Sequence, residues 1–365
     1  MRLLNCSTLQ FEDVTSANQQ TYSILSHTWH KNEVLYGPLS DYKDPKYEEG
    51  MKKILGACKI ALRDQFKHIW IDTCCIDKKS SAELSEAINS MYTWYSKAKR
   101  CYVYLKDFDS KDPDADLSKC LWFTRGWTLQ ELIAPSDMHF YDKKWRYFGS
   151  KLELYAALEA ITGIERAILR AEGPLHLVSV AKRMSWASQR QTTREEDMAY
   201  CLIGIFGINM PLLYGEGGVR AFMRLQEELI KESNDLTVFA WQAKAEDSGP
   251  MPYRGALAWS PQEFKDAGSI VSVANPKTNP EFAITNKGVR IQTQLSFDNK
   301  GMIFMPLNCH RGERVNHTIG IYLVSIGGGV FTREVPDRLG LQDTRNTSNS
   351  ELIYITKDVR DARYI

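Results

Sequence analysis

The first 150 residues alternate between short apolar runs and stretches whose apolar residues recur at helical spacing. Tyr47–Gln65 is predicted as a helix, and Ser80 with Glu83 forms a capping box for another. Alternating strands and helices are typical of βαβ units, so we expect a parallel α/β sheet. The predicted strands are Tyr22–Ser26, His68–Ile76, Cys101–Leu105 and Met138–Tyr141.

In two further regions the apolar residues recur at a different spacing. Residues 151–236 are predicted to be helical, with Thr193 and Glu196 as a capping box, and to pack on the first domain. From Thr237 the period changes to two, so residues 237–365 predict an antiparallel β domain. Its predicted strands are Thr237–Trp241, Phe282–Thr285, Val289–Leu295, Met302–Leu307, His317–Val324, Val330–Glu334 and Leu352–Thr356.

Leu121–Pro135 is predicted as one short helix that begins at an N-cap, Thr124, and stops at the proline. Its apolar stripe is formed by Leu129, Leu132 and Ile133. Trp127 and Glu131 are four residues apart and share the opposite face. Two interpretations follow: a ligand face, or a solvated glutamate beside a packed tryptophan. Spacing alone favours the second.

Polar residues follow the predicted strands. In parallel sheets, ligands bind beyond the carboxyl ends of the strands. We therefore expect a crevice lined by Ser26, His27, Trp29, Asp72 and Trp145. For Asp72 a turn-forming role is an alternative of slightly greater weight.

Composition excludes several classes. Hydrophobic residues make up 43% and charged residues 25%, as in soluble globular proteins. A net charge of +1 predicts no general nucleic-acid partner. The sequence shows neither a signal peptide nor a membrane span. Eight scattered cysteines predict a reducing cytoplasm, with one of the adjacent Cys74 and Cys75 buried and the other exposed.

Several familiar catalytic motifs are absent. The chain has no P-loop, no dinucleotide-binding glycine fingerprint after a strand and no nucleophile elbow. Cys309-His310 has no partner pair at zinc spacing, so we expect no metal site. A cysteine hydrolase that uses Cys74 or Cys75 with His27 stays open as a minor alternative.

Four segments together resemble one family. They are Tyr22-Ser23-Ile24-Leu25-Ser26-His27-Thr28-Trp29, Ile69-Trp70-Ile71-Asp72-Thr73-Cys74-Cys75-Ile76-Asp77-Lys78, Glu86-Ala87-Ile88-Asn89-Ser90-Met91 and Arg125-Gly126-Trp127-Thr128-Leu129-Gln130-Glu131-Leu132. Over about Tyr22–Tyr147 the chain resembles the fungal heterokaryon-incompatibility (HET) domain. That family is implicated in the cell death that follows fusion of genetically unlike fungal cells.

The HET domain in turn is similar to the Toll/interleukin-receptor (TIR) domain, which implies a flavodoxin-like sheet. Trp127-x-x-x-Glu131-Leu132 resembles the TIR pattern Trp-Cys-x-x-Glu-Leu, with Thr128 in place of the cysteine. In TIR domains that cleave NAD, this glutamate is catalytic, which implies the same role for Glu131. Other TIR domains are adaptors, so the resemblance implies two functions.

Cleaving NAD between nicotinamide and ribose requires little machinery. The pyridinium leaves as a neutral amide, so one carboxylate that stabilises the developing cation is sufficient. We expect Glu131 to do this, with NAD as substrate and no cofactor. Self-association, or other death-signalling proteins, would trigger activity; the alternative is a non-enzymatic module that acts by homotypic association. The expected substrate-binding residues are Ser26, His27, Thr28, Trp29, Asp72, Arg125 and Trp127.

For Arg125 the expected partner is a phosphate group, since its guanidinium lies at a predicted helix start. A surface ion pair is an equally weighted alternative. Either Trp127 or Trp29 is expected to stack on nicotinamide.

Overall fold

The computed structural model describes residues 1–15, 17, 21–244, 253–273, 279–343 and 350–358. Its helices in these ranges are α1 Glu48–Arg63, α2 Ser81–Lys97, α3 Thr128–Ile133, α4 Tyr155–Thr162, α5 Arg166–Leu169, α6 Val180–Ser185, α7 Asp197–Tyr200, α8 Ile203–Phe206 and α9 Gly218–Glu232. Within the described ranges, no helix is both long enough and apolar enough to cross a bilayer.

The strands fall into a first series and a second series along the chain. The first comprises β1 Arg2–Asn5, β2 Phe11–Asp13, β3 Ser23–His27, β4 His68–Trp70, β5 Arg100–Tyr104, β6 Met138–Tyr141 and β7 Tyr147–Ser150. The second comprises β8 Tyr253–Arg254, β9 Ile270–Ser272, β10 Phe282–Thr285, β11 Gly288–Gln294, β12 Ser296–Phe297, β13 Ile303–Pro306, β14 Cys309–Arg311, β15 His317–Gly327, β16 Val330–Glu334, β17 Gly340–Asp343 and β18 Ser350–Ile355.

Two compact units are formed. The first takes in Met1–Pro174, Arg190–Thr192 and Cys201–Leu212, and the second takes in Leu175–Gln189, Thr193–Tyr200 and Leu213–Ile365. The domain boundaries predicted at residues 150 and 236 stay a prediction.

A seven-stranded sheet forms the centre of the first unit, in the order β2-β1-β4-β3-β5-β6-β7. Its four central strands, β4, β3, β5 and β6, are parallel, which confirms the predicted parallel sheet. β3 is buried along its whole length, as expected for a strand covered on both faces. The antiparallel strands β1, β2 and β7, which lie outside the four parallel strands, were not predicted.

The second unit contains a largely antiparallel nine-stranded sheet, as predicted. β10 and β11 form the expected hairpin, whose register pairs Thr285 with Gly288. β16 and β18 are a parallel exception. The predicted first strand, Thr237–Trp241, is wrong: Leu236–Phe239 is a 3-10 turn that starts where Asp235 caps Thr237.

Three local predictions need correction. The predicted strand His68–Ile76 ends at Trp70, and Asp72–Cys74 form a turn in which the Cys75 amide donates to Ile71 O. Cys74 and Cys75 are both buried, so the expected exposed thiol is absent. Glu196 makes no capping box, because its carboxylate accepts from the amides of Gly215 and Gly217.

The Leu121–Pro135 segment is two elements rather than one helix. Leu121–Thr124 is a 3-10 turn, Arg125 is extended, and α3 begins at Thr128. Thr124 is not an N-cap, since its hydroxyl donates to Leu121 O. The break exists because the extended segment pairs with Gln191, whose carbonyl accepts from Gly126 and whose amide donates to Thr124 O.

Candidate active site at the carboxyl ends of the parallel strands

Adjacent strands deliver the predicted residues to one edge of the sheet. β3 lies between β4 and β5, and the three strands are parallel. Ser26 and His27 end β3, and Asp72 lies in the turn after β4. Because the strands point the same way, these ends meet at the edge where such sheets bind ligands.

Asp72 joins the two strand ends. Its Oδ1 lies 3.0 Å from His27 Nε2, and its Oδ2 accepts from Trp29 Nε1 at 2.7 Å. Burial acts to raise the pKa of Asp72, but His27, Lys78 and the Trp29 hydrogen bond outweigh it and hold this pKa well below its usual range. Asp72 is therefore a fixed negative charge.

A buried lysine of α1 completes the surroundings of His27. Lys53 Nζ lies 2.9 Å from His27 Nδ1 and donates to Glu33 Oε1 at 2.5 Å. Burial lowers the pKa of Lys53, although Glu33 and Asp72 oppose that effect. The His27 ring therefore lies between a carboxylate at Nε2 and an ammonium group at Nδ1.

Two more lysines surround Trp29. Lys78 Nζ lies 3.5 Å from the centroid of the Trp29 ring, a cation–π contact. Lys106 Nζ donates to Trp29 O at 3.2 Å. We call His27, Trp29, Glu33, Lys53, Asp72 and Lys78 the strand-end cluster. Sequence reasoning missed Glu33, Lys53 and Lys78.

Glu131 is reached from the end of β3. Ser26 Oγ donates to Glu131 Oε2 at 2.5 Å and accepts from Trp122 Nε1 at 2.8 Å. Burial, followed by the nearby charge of Asp72, raises the pKa of Glu131 to about 8, against opposing effects of Ser26, Arg125 and Tyr95. Glu131 is thus largely a neutral carboxylic acid at pH 7.

The predicted exposed face of α3 is wrong. All of Thr128–Ile133 is buried, and Glu131 is only 5% exposed. Arg190 fixes the start of this helix, since its guanidinium donates to Arg125 O at 2.8 Å and to Thr128 Oγ1 at 2.9 Å. Glu131 therefore belongs to a rigid interior segment.

Of the remaining predicted residues, some have a described link to His27 or Glu131 and others do not. Thr28 is buried and its carbonyl lies 3.1 Å from His27 Nδ1, while Arg125 is half-buried and acts on Glu131 through its charge. Trp127 is half-buried, and no described contact links it to Glu131. Trp145 stacks on Tyr104 with ring centroids 4.6 Å apart and has no described contact with the cluster.

Metal-ligating side chains are not concentrated at this edge. Over the described ranges, no group of three or more His, Cys, Asp or Glu residues could hold a metal ion. The chemistry available is that of two carboxyl groups in opposite protonation states, the half-buried Asp72 and the buried Glu131, beside an aromatic face and buried ammonium groups.

Comparison with known proteins finds two relationships. Residues 22–120 match the family model described as Heterokaryon incompatibility protein (HET). The chain is also 47% identical over 235 residues to the Vegetative incompatibility protein HET-E-1 of Podospora anserina. That alignment takes in 62% of the chain but only 17% of the relative, so the chain spans a small part of that protein. No solved structure matches.

The family match includes the strand-end cluster and stops before α3. β3, α1, β4, α2 and β5 all lie inside residues 22–120, whereas Glu131 lies outside them. Three of the four segments that carry the resemblance lie inside the match, and the fourth, Arg125–Leu132, lies beyond its end. Residues 22–120 of this chain therefore match a HET domain, and a 47% identical relative is named for vegetative incompatibility.

Proposed function

We propose that this chain is a cell-death effector of heterokaryon incompatibility that cleaves NAD at the nicotinamide–ribose bond through Glu131. One observation carries the proposal: Glu131 is buried on a rigid segment and is held by Ser26 at the carboxyl end of β3. The death role is carried over from the family and from the name of the relative.

The strand order supports a TIR-like, flavodoxin-like sheet. Counted along the chain, the parallel strands β4-β3-β5-β6 have the order 2-1-3-4, which is the flavodoxin-like order. In that fold, ligands bind where the order reverses, beside the first strand. Ser26 and His27 end that strand, so the placement favours a ligand site rather than a coincidental cluster.

The chemistry needs one carboxylate. The bond from ribose C1′ to the pyridinium nitrogen breaks, its electron pair goes to that nitrogen, and neutral nicotinamide leaves. Ionised Glu131 stabilises the cation left on the ribose. Water then attacks C1′ and its proton passes to Glu131, or an internal nucleophile of the dinucleotide attacks and gives a cyclic product.

The protonation state of Glu131 supports a need for activation. Burial raises its pKa to about 8, so the closed site holds the neutral acid at pH 7. A bound pyridinium favours the carboxylate, because an opposite charge lowers the pKa of an acid. Opening of the site, which we propose accompanies self-association, would admit the substrate and hydrate the carboxyl group.

A second function is favoured by the same burial. At 5% exposure, with a hydrogen bond from Ser26, Glu131 satisfies the requirements of a structural acid. In that case the HET domain signals by homotypic association and has no enzymatic activity. The two functions differ in one measurable product, free nicotinamide.

The test uses purified chain at rising concentration, incubated with NAD and assayed for nicotinamide. Glu131→Gln keeps the size and removes the charge, and we expect it to lower the rate at least about 10²-fold. Glu86→Gln, on the exposed face of α2, is the matched control and should not change the rate. Equal nonzero rates for wild type and Glu131→Gln would exclude Glu131 from the mechanism, and no nicotinamide at any concentration would exclude the enzymatic function.

Expression in a fungal host gives the cellular readout. If NAD loss kills, wild type and Glu86→Gln are toxic and Glu131→Gln is not. Equal toxicity of all three, with all three proteins folded, favours signalling by association.

A further inference from the structure

Lys78 is a buried cation whose ammonium has no hydrogen-bond acceptor among the described residues. Its Nζ is inaccessible to solvent and lies against the face of Trp29 at 3.5 Å. An ammonium carries three N–H donors, and an aromatic face satisfies the charge from one direction only. A buried donor without an acceptor is costly, so this group is primed for an acceptor from outside.

Positive charge is in excess around Trp29. Lys78 covers its ring, Lys106 binds its carbonyl and Lys53 contacts the nearby His27. The carboxyl groups within the cluster are those of Asp72 and Glu33. Glu131 adds no charge while it is neutral. Burial lowers the pKa of both Lys53 and Lys78, so the protein alone stabilises these ammonium groups poorly. An anion of suitable size would correct that imbalance.

Trp29 does not depend on Lys78 for its position. Its indole N–H donates to Asp72 and its carbonyl accepts from Lys106. If Lys78 moves, the ring therefore stays in place with one face uncovered. The lysine stem is long and the residue as a whole is half-buried, so rotation of the Lys78 side chain alone is sufficient to uncover the ring face.

We propose that Lys78 binds a phosphate oxygen of the substrate and, by leaving Trp29, uncovers the aromatic face for a cationic ring. The ligand class is a diphosphate that also carries a pyridinium, and this identity rests on the proposed function. In such a ligand the diphosphate removes the ammonium from the ring face and the pyridinium takes its place. Lys78 thereby couples recognition of the two ends of the substrate.

The experiment measures binding by calorimetry with three probes: ADP-ribose, inorganic pyrophosphate and nicotinamide riboside, which has the cationic ring without phosphate. We expect Lys78→Gln to weaken ADP-ribose and pyrophosphate at least about tenfold, the loss of one charge-assisted hydrogen bond. Lys78→Arg should retain most of the affinity. Lys79→Gln, at the exposed neighbouring lysine, should retain all of it.

The riboside separates coupling from simple attraction. Because Gln leaves no cation over Trp29, nicotinamide riboside should bind Lys78→Gln at least as tightly as wild type. Tighter binding of ADP-ribose than of pyrophosphate assigns the site to a dinucleotide, and equal binding assigns it to free phosphate.

Two results would overturn the inference: no phosphate ligand binds wild type, or Lys78→Gln binds both phosphate ligands as wild type does. Thermal unfolding of each variant checks its fold. If the Gln variant does not fold, binding of the phosphate ligands to Lys78→Arg is compared with binding to wild type instead. Nicotinamide release is measured separately. Its absence would refute the proposed function and leave the phosphate result intact.

Discussion

The strand-end cluster of the first unit and a cluster of arginines in the second unit both bury charged side chains, but their partners differ. In the second unit, Arg333 donates to Phe239 O at 3.1 Å and to Trp241 O at 2.5 Å. Arg254 pairs with Glu263 at 3.0 Å. We call Arg254, Glu263 and Arg333 the arginine cluster.

The partners show what each cluster does. Arg333 binds backbone carbonyls and lies 3.8 Å from the centroid of the Trp241 ring, so it ties one chain segment to another. In the strand-end cluster, Lys53 and His27 bind side chains, and Lys78 binds no described acceptor. Both clusters contain a buried donor without an acceptor, Arg333 Nε in one and Lys78 Nζ in the other. The difference is that Arg333 also binds backbone carbonyls, which indicates a structural role, whereas Lys78 binds none and lies at the ends of parallel strands, where such sheets bind ligands.

The largest effect is expected from Glu263→Ala. Burial lowers the pKa of Arg333 to about 9, yet both arginines remain charged at pH 7 and would lose their buried carboxylate. An uncompensated buried charge costs about 3–5 kcal/mol of unfolding free energy. Urea unfolding measures this loss. Glu281→Ala, at the exposed end of a surface pair, is the control and should change stability by less than about 0.5 kcal/mol. A similarly small effect of Glu263→Ala would show that the arginine cluster contributes nothing structural.

Glu131→Gln tests the strand-end region through pH. The pKa of Glu131 rises from 4.5 to about 8 on folding, so the folded protein binds a proton that the unfolded chain releases between these values. Stability of wild type must therefore fall as pH rises through that window, by about 1.4 kcal/mol per unit. Relative to the isosteric Gln variant, the loss reaches roughly 3 kcal/mol at pH 7.

Unfolding free energies of both proteins at pH 5, 6, 7 and 8 measure this difference. A difference that stays constant with pH would mean that Glu131 is ionised in the folded protein. The distinction between Glu131 and the ionised Asp72 would then be lost.

The sequence predicted the central sheet well and its edges poorly. β3, β5 and β6 are short, largely buried segments rich in apolar and aromatic residues, and each was placed within a residue or two. β4 was drawn six residues too long, because Ile71, Cys74 and Ile76 are buried in a turn. Burial of an apolar residue looks the same in the sequence whether the backbone is extended or turning.

About half of the residues of the candidate site could also be predicted from the sequence. The strand-end rule correctly brought Ser26, His27, Trp29 and Asp72 together, because it needs only strand order. Lys53 was missed although a signal existed: it lies four residues before Ala57 on the buried face of α1. A lysine on an apolar helical face predicts a buried partner. The burial of α3 was missed because it depends on Arg190 and Gln191, which are remote in sequence.

The smallest effect is expected from Asp72→Asn, and it links the two carboxyl groups of the site. Asn keeps an acceptor for Trp29 but removes the charge that faces His27 and Lys78, at a cost of about 2 kcal/mol. The pKa of Asp72 is depressed, so its own contribution is constant above pH 5 and falls only in acid. The charge of Asp72 also raises the pKa of Glu131, so Glu131 ionises at a lower pH in the variant than in wild type. The loss of stability with rising pH therefore stops at a lower pH in the variant, while wild type continues to lose stability. The cost of Asp72→Asn should therefore be smaller at pH 8 than at pH 6.

The same substitution in a Glu131→Gln background should show no such decrease, because residue 131 then has no carboxyl group that can ionise. A decrease that survives in the double variant would assign the pH response to His27 or the lysines and would separate Asp72 electrostatically from Glu131.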